Sequence, residues 1–471
     1  MQDTPLYFKL KELDRKGWLV RILILGAVLV ILVIKMYLAA FVIDRAVGLY
    51  SVLTSFLLFN VLIFSYFRYK DPYVEVHDIK IPKDKLPLVS IVIPVKNEEE
   101  NIEICVRSAL EQTYEKKEII VINDGSTDNT GSILHKLKRD YKNNNYTILD
   151  IEKSIGKKRA IEEASKIANG TIYAFMDSDC NMDLDATEKA VKIMYSDPQI
   201  GAVATHIRVR NNHKGKFFDH FLEKCQDVYA DASSRAIKGY ESSFSSVTCC
   251  SGALSFYRRE AIQNFFHEWA HDKFLGIEFK FCTDRRMTAH VLTTKPPYPI
   301  KELQQDQNGF INENKQKIKS KDDVNGYWKI RYSQHIRVTC GVPSTLLSLV
   351  KQQIRWRKSF IRSIFSTGGY FWKRPFYLAL LYYLQTSMRF FRPYVVAKTV
   401  FLMPFFGDYL TPIVWFSGIL FTGMILAVDF RLRNPGDKNW LYRPFFSMIS
   451  TFIYTWLIFY AAITIRKSAW R

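Results

Sequence analysis

Zinc-finger spacing is missing from this sequence, and so is any basic helix carrying heptads; with neither, nucleic acid is a poor candidate partner despite a net charge of +20. Paired cysteines at metal-binding spacing are missing too. The seven cysteines stand singly at 105, 180, 225, 282 and 340 and as neighbours at 249 and 250. An odd count, mostly in the presumed cytosolic part, favours free thiols. The first apolar run is long and has no small-residue cleavage pattern behind it, so no cleavable signal peptide is read there.

Aromatic residues are abundant, with 34 Phe and 26 Tyr. The apolar residues crowd at both ends, while the middle carries most of the charge. A soluble domain held between membrane segments gives that pattern. Lipid headgroups and a diphosphate substrate account for the positive charge more simply than nucleic acid does.

Four regions follow. Residues 1–75 form an N-terminal membrane region, with apolar runs at Leu19–Ile43 and Val47–Phe67 that are each long enough to span. Lys9, Lys11, Arg15 and Lys16 precede the first run, and Arg68 and Lys70 follow the second. The positive-inside rule puts both flanks in the cytosol, with Asp44 and Arg45 in a short outer turn. Residues 76–343 read as an α/β domain. Leu88–Pro94, Glu118–Asn123 and Thr171–Met176 are β-rich runs, with helical periodicity over Glu98–Glu111 between the first two. The polar stretch 304–333 reads as a loop or insertion. Residues 344–376 are basic with helical apolar spacing, suited to a helix at the membrane surface. Residues 377–471 hold two to three further spans, near Leu378–Phe406, Tyr409–Val428 and Pro444–Ile463. With the basic tail inside, either the last run is re-entrant or interfacial, or the number of spans read before it is off by one. Nothing in the pattern sets an oligomeric state.

Asp177-Ser178-Asp179 ends a predicted strand, where ligands bind in open α/β sheets. Two carboxylates there can hold Mg²⁺ or Mn²⁺ against a diphosphate. Taken alone, the motif is a common surface-loop pair. Asp124-Gly125-Ser126 ends another strand; its carboxylate can accept from a nucleoside, though Asp-Gly is also an ordinary turn. Gly156-Lys157-Lys158 offers cations to a diphosphate or merely starts a solvated helix. Asp284, beside Arg285 and Arg286, suits a general base for a sugar hydroxyl, or a surface ion pair. In Gln352-Gln353-Ile354-Arg355-Trp356, Trp356 gives a flat face for a sugar ring and Arg355 a fork for phosphate; a Trp at a membrane interface is the plainer alternative. Ser251 and Gly252 follow a Ser-rich stretch, where Gly lets backbone approach a sugar or simply makes a turn.

Together, Val92–Glu99, Asp124-Gly125-Ser126, Gly156-Lys157, Asp177-Ser178-Asp179, Cys250-Ser251-Gly252, Thr283-Asp284-Arg285 and the Gln-x-x-Arg-Trp of 352–356 resemble the processive family-2 glycosyltransferases of hyaluronan, chitin and cellulose synthesis. Phe274-Leu275-Gly276, Lys351–Phe360 and Thr464–Lys467 are most similar to hyaluronan synthases. Asn123, Thr283 and Ala253 depart from the usual pattern. The resemblance implies a GT-A fold and an inverting transfer from UDP-sugars, UDP-GlcNAc and UDP-GlcA, to a growing polysaccharide exported through the lipid bilayer. It implies a multi-pass plasma-membrane enzyme with a cytosolic catalytic domain. In that reading Asp284 is the base, and Asp179 with Asp177 binds the metal. Pro94, Asp124, Lys157, Asp177, Gln352 and Arg355 hold the donor; Trp356, Ser251 and Gly252 hold the acceptor. Synthesis of a chitin-like polymer or transfer to a lipid-linked acceptor are the alternatives.

Overall fold

The computed structural model describes residues 6–142, 145–210, 217–297, 324 and 326–467. The expected strands are present and lie in an eight-stranded sheet of order β3-β2-β1-β4-β7-β6-β10-β5. The strands are β1 (Val89–Val95), β2 (Lys117–Asp124), β3 (Tyr146–Ile151), β4 (Ile172–Met176), β5 (Cys180–Met182), β6 (Ile200–Val209), β7 (Leu254–Arg258) and β10 (Lys329–Cys340). A separate hairpin joins β8 (Lys273–Phe274) to β9 (Ile277–Glu278). β1, β2, β3 and β4 run parallel, β7 is antiparallel to both neighbours, and β5 is antiparallel to β10.

Strand β1 is buried along its whole length, as its continuous apolar run requires of a strand covered on both faces. Ile91 and Ile93 face one layer, with Cys105 and Val106 of the helix Ile102–Leu110 and Leu134 of the helix Thr130–Asp140. Val92, Ile120 and Ile122 face the other, with Ala160, Ile161 and Ala164 of the helix Lys157–Ile167. β1 has β2 on one side and β4 on the other. The direction of sheet growth therefore reverses at β1, which opens a crevice at the carboxyl ends of β1 and β4.

The helix expected from Glu98 begins only at Ile102. Asn97 takes the left-handed conformation (φ 52), which asparagine tolerates, and its side-chain oxygen accepts from the Thr127 N–H at 2.8 Å. The Glu98 N–H is taken by Thr130 Oγ1 at 2.9 Å, so the turn is held from the neighbouring βα loop.

Two expectations are corrected. The polar stretch 304–333 is not loop to its end: from Lys329 it is strand β10, paired along β6. Its alternating Ile330 and Tyr332, with Trp328 just before, are buried. The part of that stretch at 304–323 lies outside the described residues. The cysteines are not all free, because Cys180 and Cys340 form a disulfide. They stand directly opposite each other where β5 meets β10, with Cα atoms 4.1 Å apart. Close antiparallel pairing of strands 160 residues apart brings them together. The other five cysteines are free.

Among the described residues, three helical stretches are long and apolar enough to cross a membrane: Gly17–Phe41, Arg45–Val76 and Leu410–Arg433. The bent pair Asn439–Phe452 and Leu457–Ile463, inclined at 43°, makes a fourth if it is one span. The helix Phe376–Ala397 is not among them; it carries Arg389, Arg392 and an internal Pro393. Within the first two spans, Lys35 Nζ donates to Ser55 Oγ at 2.8 Å, which gives an ammonium inside an apolar stretch a partner.

Candidate active site

The crevice at the β1/β4 switch holds most of the acidic positions singled out above. Asp177 follows directly on β4, and its N–H donates to the Gly252 carbonyl at 3.0 Å. A Cβ on residue 252 would lie 3.1 and 3.2 Å from the two Asp177 carboxylate oxygens. Glycine is what lets the 250–253 turn close over that carboxylate. We expect Gly252→Ala to fold normally but to lose roughly tenfold in turnover, because the carboxylate must shift by tenths of an ångström. Steady-state turnover, with melting temperature as control, tests this; an unchanged rate would remove the constraint.

Lys157 opens the helix Lys157–Ile167, and its ammonium pairs with the Asp177 carboxylate. Burial disfavours the ammonium, but Asp177, with Asp284 and Asp179 behind it, outweighs that and raises its pKa. The opposite holds for Asp179. Burial, then the charges of Asp177 and Glu98, push its carboxyl up to about 7. Crowded carboxylates of this kind are the donor set that a hard divalent cation relieves, so Asp177 and Asp179 fit Mg²⁺ or Mn²⁺ chemically. The Asp179 backbone is fixed by its carbonyl, which accepts from the Gly341 N–H at 3.1 Å and from the Arg210 guanidinium.

Asp284 sits in the first turn of the helix Thr283–Thr293, entered through Cys282 in a left-handed conformation (φ 65, ψ 40). Its Oδ1 accepts from the Arg285 N–H at 2.8 Å, and Cys249 Sγ donates to Oδ2 at 3.3 Å. The Trp269 indole N–H holds the Thr283 carbonyl at 2.8 Å. One cavity is lined by Pro94, Lys157, Asp177, Gly252, Trp269 and Asp284, among others. Four elements far apart in the chain thus present a cation, a carboxylate, a bare backbone turn and a second carboxylate to the same space.

The remaining expected residues are placed differently. Asp124 is buried, and its carboxylate is engaged by the loop before Lys157: it accepts from the Ile155 N–H at 2.7 Å, Ser154 Oγ at 2.8 Å and the Gly156 N–H at 3.0 Å. Next to it Gly125 has φ +64, and a Cβ there would meet the Ser154 nitrogen at 2.6 Å. The Asp-Gly pair therefore clamps the loop that aims Lys157. Ser251 Oγ accepts from the buried Lys238 ammonium at 2.9 Å. Gln352, Arg355 and Trp356 lie on the helix Leu346–Ser366, with Trp356 48% exposed. Gln352 Oε1 is buried without a hydrogen-bond partner among the described residues. That helix packs on the Asp284 helix: Cys282 Sγ donates to the Ser359 carbonyl at 3.4 Å, and Arg362 bonds Asp272 at 2.8 Å.

Trp269 and Lys238 escape a sequence reading. Neither sits in a recognisable spacing, and only the fold brings Trp269 to the cavity wall and Lys238 under Ser251.

Residues 90–266 match the family model described as glycosyl transferase family 2. Poly-beta-1,6-N-acetyl-D-glucosamine synthase of Staphylococcus aureus (strain COL) is 26% identical over 288 residues, 60% of this chain. The chain spans 58% of that relative's length. Hyaluronan synthase 3 of Xenopus laevis is 22% identical over 424 residues, 83% of this chain and 69% of the relative. Among solved structures, mannosyltransferase PcManGT from Pyrobaculum calidifontis, in complex with GDP-Man and Mn²⁺, superposes with a TM-score of 0.53 at 17% identity, over 89% of this chain and 99% of that one. Strand-end carboxylates around one crevice, the sheet order and the family match agree. The chain carries a glycosyltransferase family 2 domain, in a GT-A-like fold flanked by helices apolar enough to cross a membrane.

Proposed function

We propose that the chain is a processive, inverting glycosyltransferase that polymerises sugars from UDP-sugars and passes the product through its own membrane region. The observation that carries this is the shared cavity of Lys157, Asp177, Gly252 and Asp284. In this reading residues 76–343 are the cytosolic catalytic domain of a plasma-membrane protein. Residues 1–75 and 377–471 are its membrane regions, and 344–376 lies at the interface between them.

Lys157 and Arg355 hold the donor diphosphate, with Pro94 and Gln352 beside it, and Asp124 shapes the loop that brings Lys157 in. The orphaned Gln352 Oε1 supports a role as acceptor for a donor hydroxyl. Asp177 and Asp179 would hold the divalent ion, which when bound would supply positive charge against the diphosphate. Asp284 takes the proton from the acceptor hydroxyl, whose oxygen then attacks the anomeric carbon opposite the leaving group. Ser251, Gly252 and Trp356 receive the acceptor sugar, the last by stacking.

A polymer that includes an acidic sugar is supported by arginines among the membrane-side helices. Arg389 lies over the Phe360 ring at 4.5 Å, and Arg357 over Tyr454 at 5.9 Å; Arg392 donates to Thr451 Oγ1 at 2.8 Å. Among the described residues none of the three has a carboxylate partner, so an anionic product would meet uncompensated positive charge. A homopolymer of GlcNAc is the second reading, favoured by the name of the Staphylococcus aureus relative.

Purified protein given UDP-GlcNAc and UDP-GlcA, separately and together, decides between them. Polymer only from the mixture is the expected result. Polymer from UDP-GlcNAc alone would favour the second reading, and no UDP release from any UDP-sugar with Mn²⁺ would end both.

A further inference from the structure

Behind the Trp269 side of the cavity lies a cluster that the transfer reaction does not use. Glu162 stands on the helix Lys157–Ile167, five residues beyond Lys157. His267 lies in the short helix Phe266–Ala270, and His271 caps its C-terminus. Spaced four apart, the two rings fall on one face, with centroids 4.5 Å apart. His267 Nδ1 is 3.0 Å from Glu162 Oε1, and His271 Nδ1 is 3.7 Å from Oε2. One ligand atom from each of the three residues can be chosen so that all lie within 4.8 Å of one another. A tetrahedral ion with bonds of about 2.1 Å needs roughly 3.4 Å between ligands, which small side-chain rotations supply.

The protonation pattern also suits a metal. His271 Nδ1–H donates to the His267 carbonyl at 3.1 Å, which leaves Nε2 with its lone pair. Glu162 is only 12% exposed, whereas His267 is 83% and His271 40% exposed, so the carboxylate is fixed and the imidazoles are accessible from solvent. Two imidazoles and a carboxylate select borderline ions such as Zn²⁺, Ni²⁺ or Cu²⁺; Mg²⁺ takes oxygen ligands and retains water.

We propose that Glu162, His267 and His271 form a transition-metal site of the Zn²⁺ class, separate from the hard-cation position at Asp177 and Asp179. Its place gives it a structural effect. The ion joins the helix that begins at Lys157 to the segment bearing Trp269, whose indole holds the Thr283 carbonyl beside Asp284. Next to His271, Asp272 already ties Arg362 of the helix Leu346–Ser366 at 2.8 Å and Lys158 at 3.6 Å. A bound ion therefore braces the donor-side helix against the wall that carries the proposed base. The proposal does not depend on the transferase reading, because its test measures metal binding without any sugar.

The test uses full-length protein in detergent, without a polyhistidine tag, stripped with chelator and kept in excess Mg²⁺. Titration with ZnCl₂ should show one tight site and a raised melting temperature. The double variant His267→Ala/His271→Ala should melt like the parent without Zn²⁺ and lose both effects. Glu162→Gln should bind Zn²⁺ at least about 100-fold more weakly, since loss of a direct ligand exceeds the 10- to 100-fold typical of an outer-shell partner. Asp179→Ala should bind Zn²⁺ as the parent does. Failure of the parent to bind Zn²⁺ in excess Mg²⁺ would overturn the site and mark the cluster as a carboxylate–imidazole ion pair. Equal Zn²⁺ affinity in the double variant, or loss of Zn²⁺ binding in Asp179→Ala, would equally overturn it.

Discussion

An Asp284→Asn protein is expected to bind UDP-sugar nearly as the parent does and to transfer almost none of it, with turnover lower by about 10²- to 10⁴-fold. The amide has the size of the carboxylate. It can keep the bond from the Arg285 N–H, now 2.8 Å from Oδ1, so the first turn of its helix stays in place. What it lacks is a basic lone pair able to take the acceptor's proton. Lys157 and Asp177, the residues proposed to hold the donor, belong to other elements and keep their ion pair. UDP binding by calorimetry and UDP release on the same preparation separate the two quantities. Normal turnover would remove Asp284 as the base. Equal losses of binding and turnover would make it a donor-site residue instead.

The second large effect is expected at Asp179. Asp179→Ala should weaken Mn²⁺-dependent UDP-sugar binding by at least about 100-fold, since loss of a direct ligand exceeds the 10- to 100-fold typical of an outer-shell partner. Two observations frame this. The Asp179 carboxyl is pushed up to about 7 by burial and by neighbouring Asp177 and Glu98, so the cluster stores like-charge repulsion. Asp177, in contrast, already has Lys157 against it. Removing the side chain of Asp179 relieves repulsion in the metal-free protein, so its melting temperature should hold or rise while metal-dependent binding collapses. That opposition separates a ligand from a residue that merely supports the fold. A variant with unchanged Mn²⁺ dependence would place the ion elsewhere.

How far the sequence could be read depended on the range of the interactions. Local signals survived well. The run from Val89 to Val95 is apolar at every position except Ser90, and a strand buried on both faces is its physical consequence. Asp177 and Asp124 stand at strand ends, and a parallel sheet carries strand ends to its ligand crevice. β10 is obscured because polar Arg331, Gln334 and His335 interrupt its buried residues, and one of the buried residues is itself the polar Ser333, in a stretch that begins as a charged, polar run. The Cys180–Cys340 bond depends on strand pairing across 160 residues, which no local count of cysteines reveals. Asp124 was recognised as a strand-end carboxylate, yet its three partners at 154–156 lie about thirty residues away and were invisible. The Gly252 turn was readable as a close approach, but not that the group approached is the Asp177 carboxylate.

Strand β10 ends at Cys340, covalently bonded to the residue after Asp179, and the Gly341 N–H grips the Asp179 carbonyl. The short linker 341–345 then runs straight into the helix that carries Trp356. Five residues between Cys340 and Leu346 can reach no more than about 18 Å, so the start of that helix stays tethered within that radius of the strand end beside Asp179.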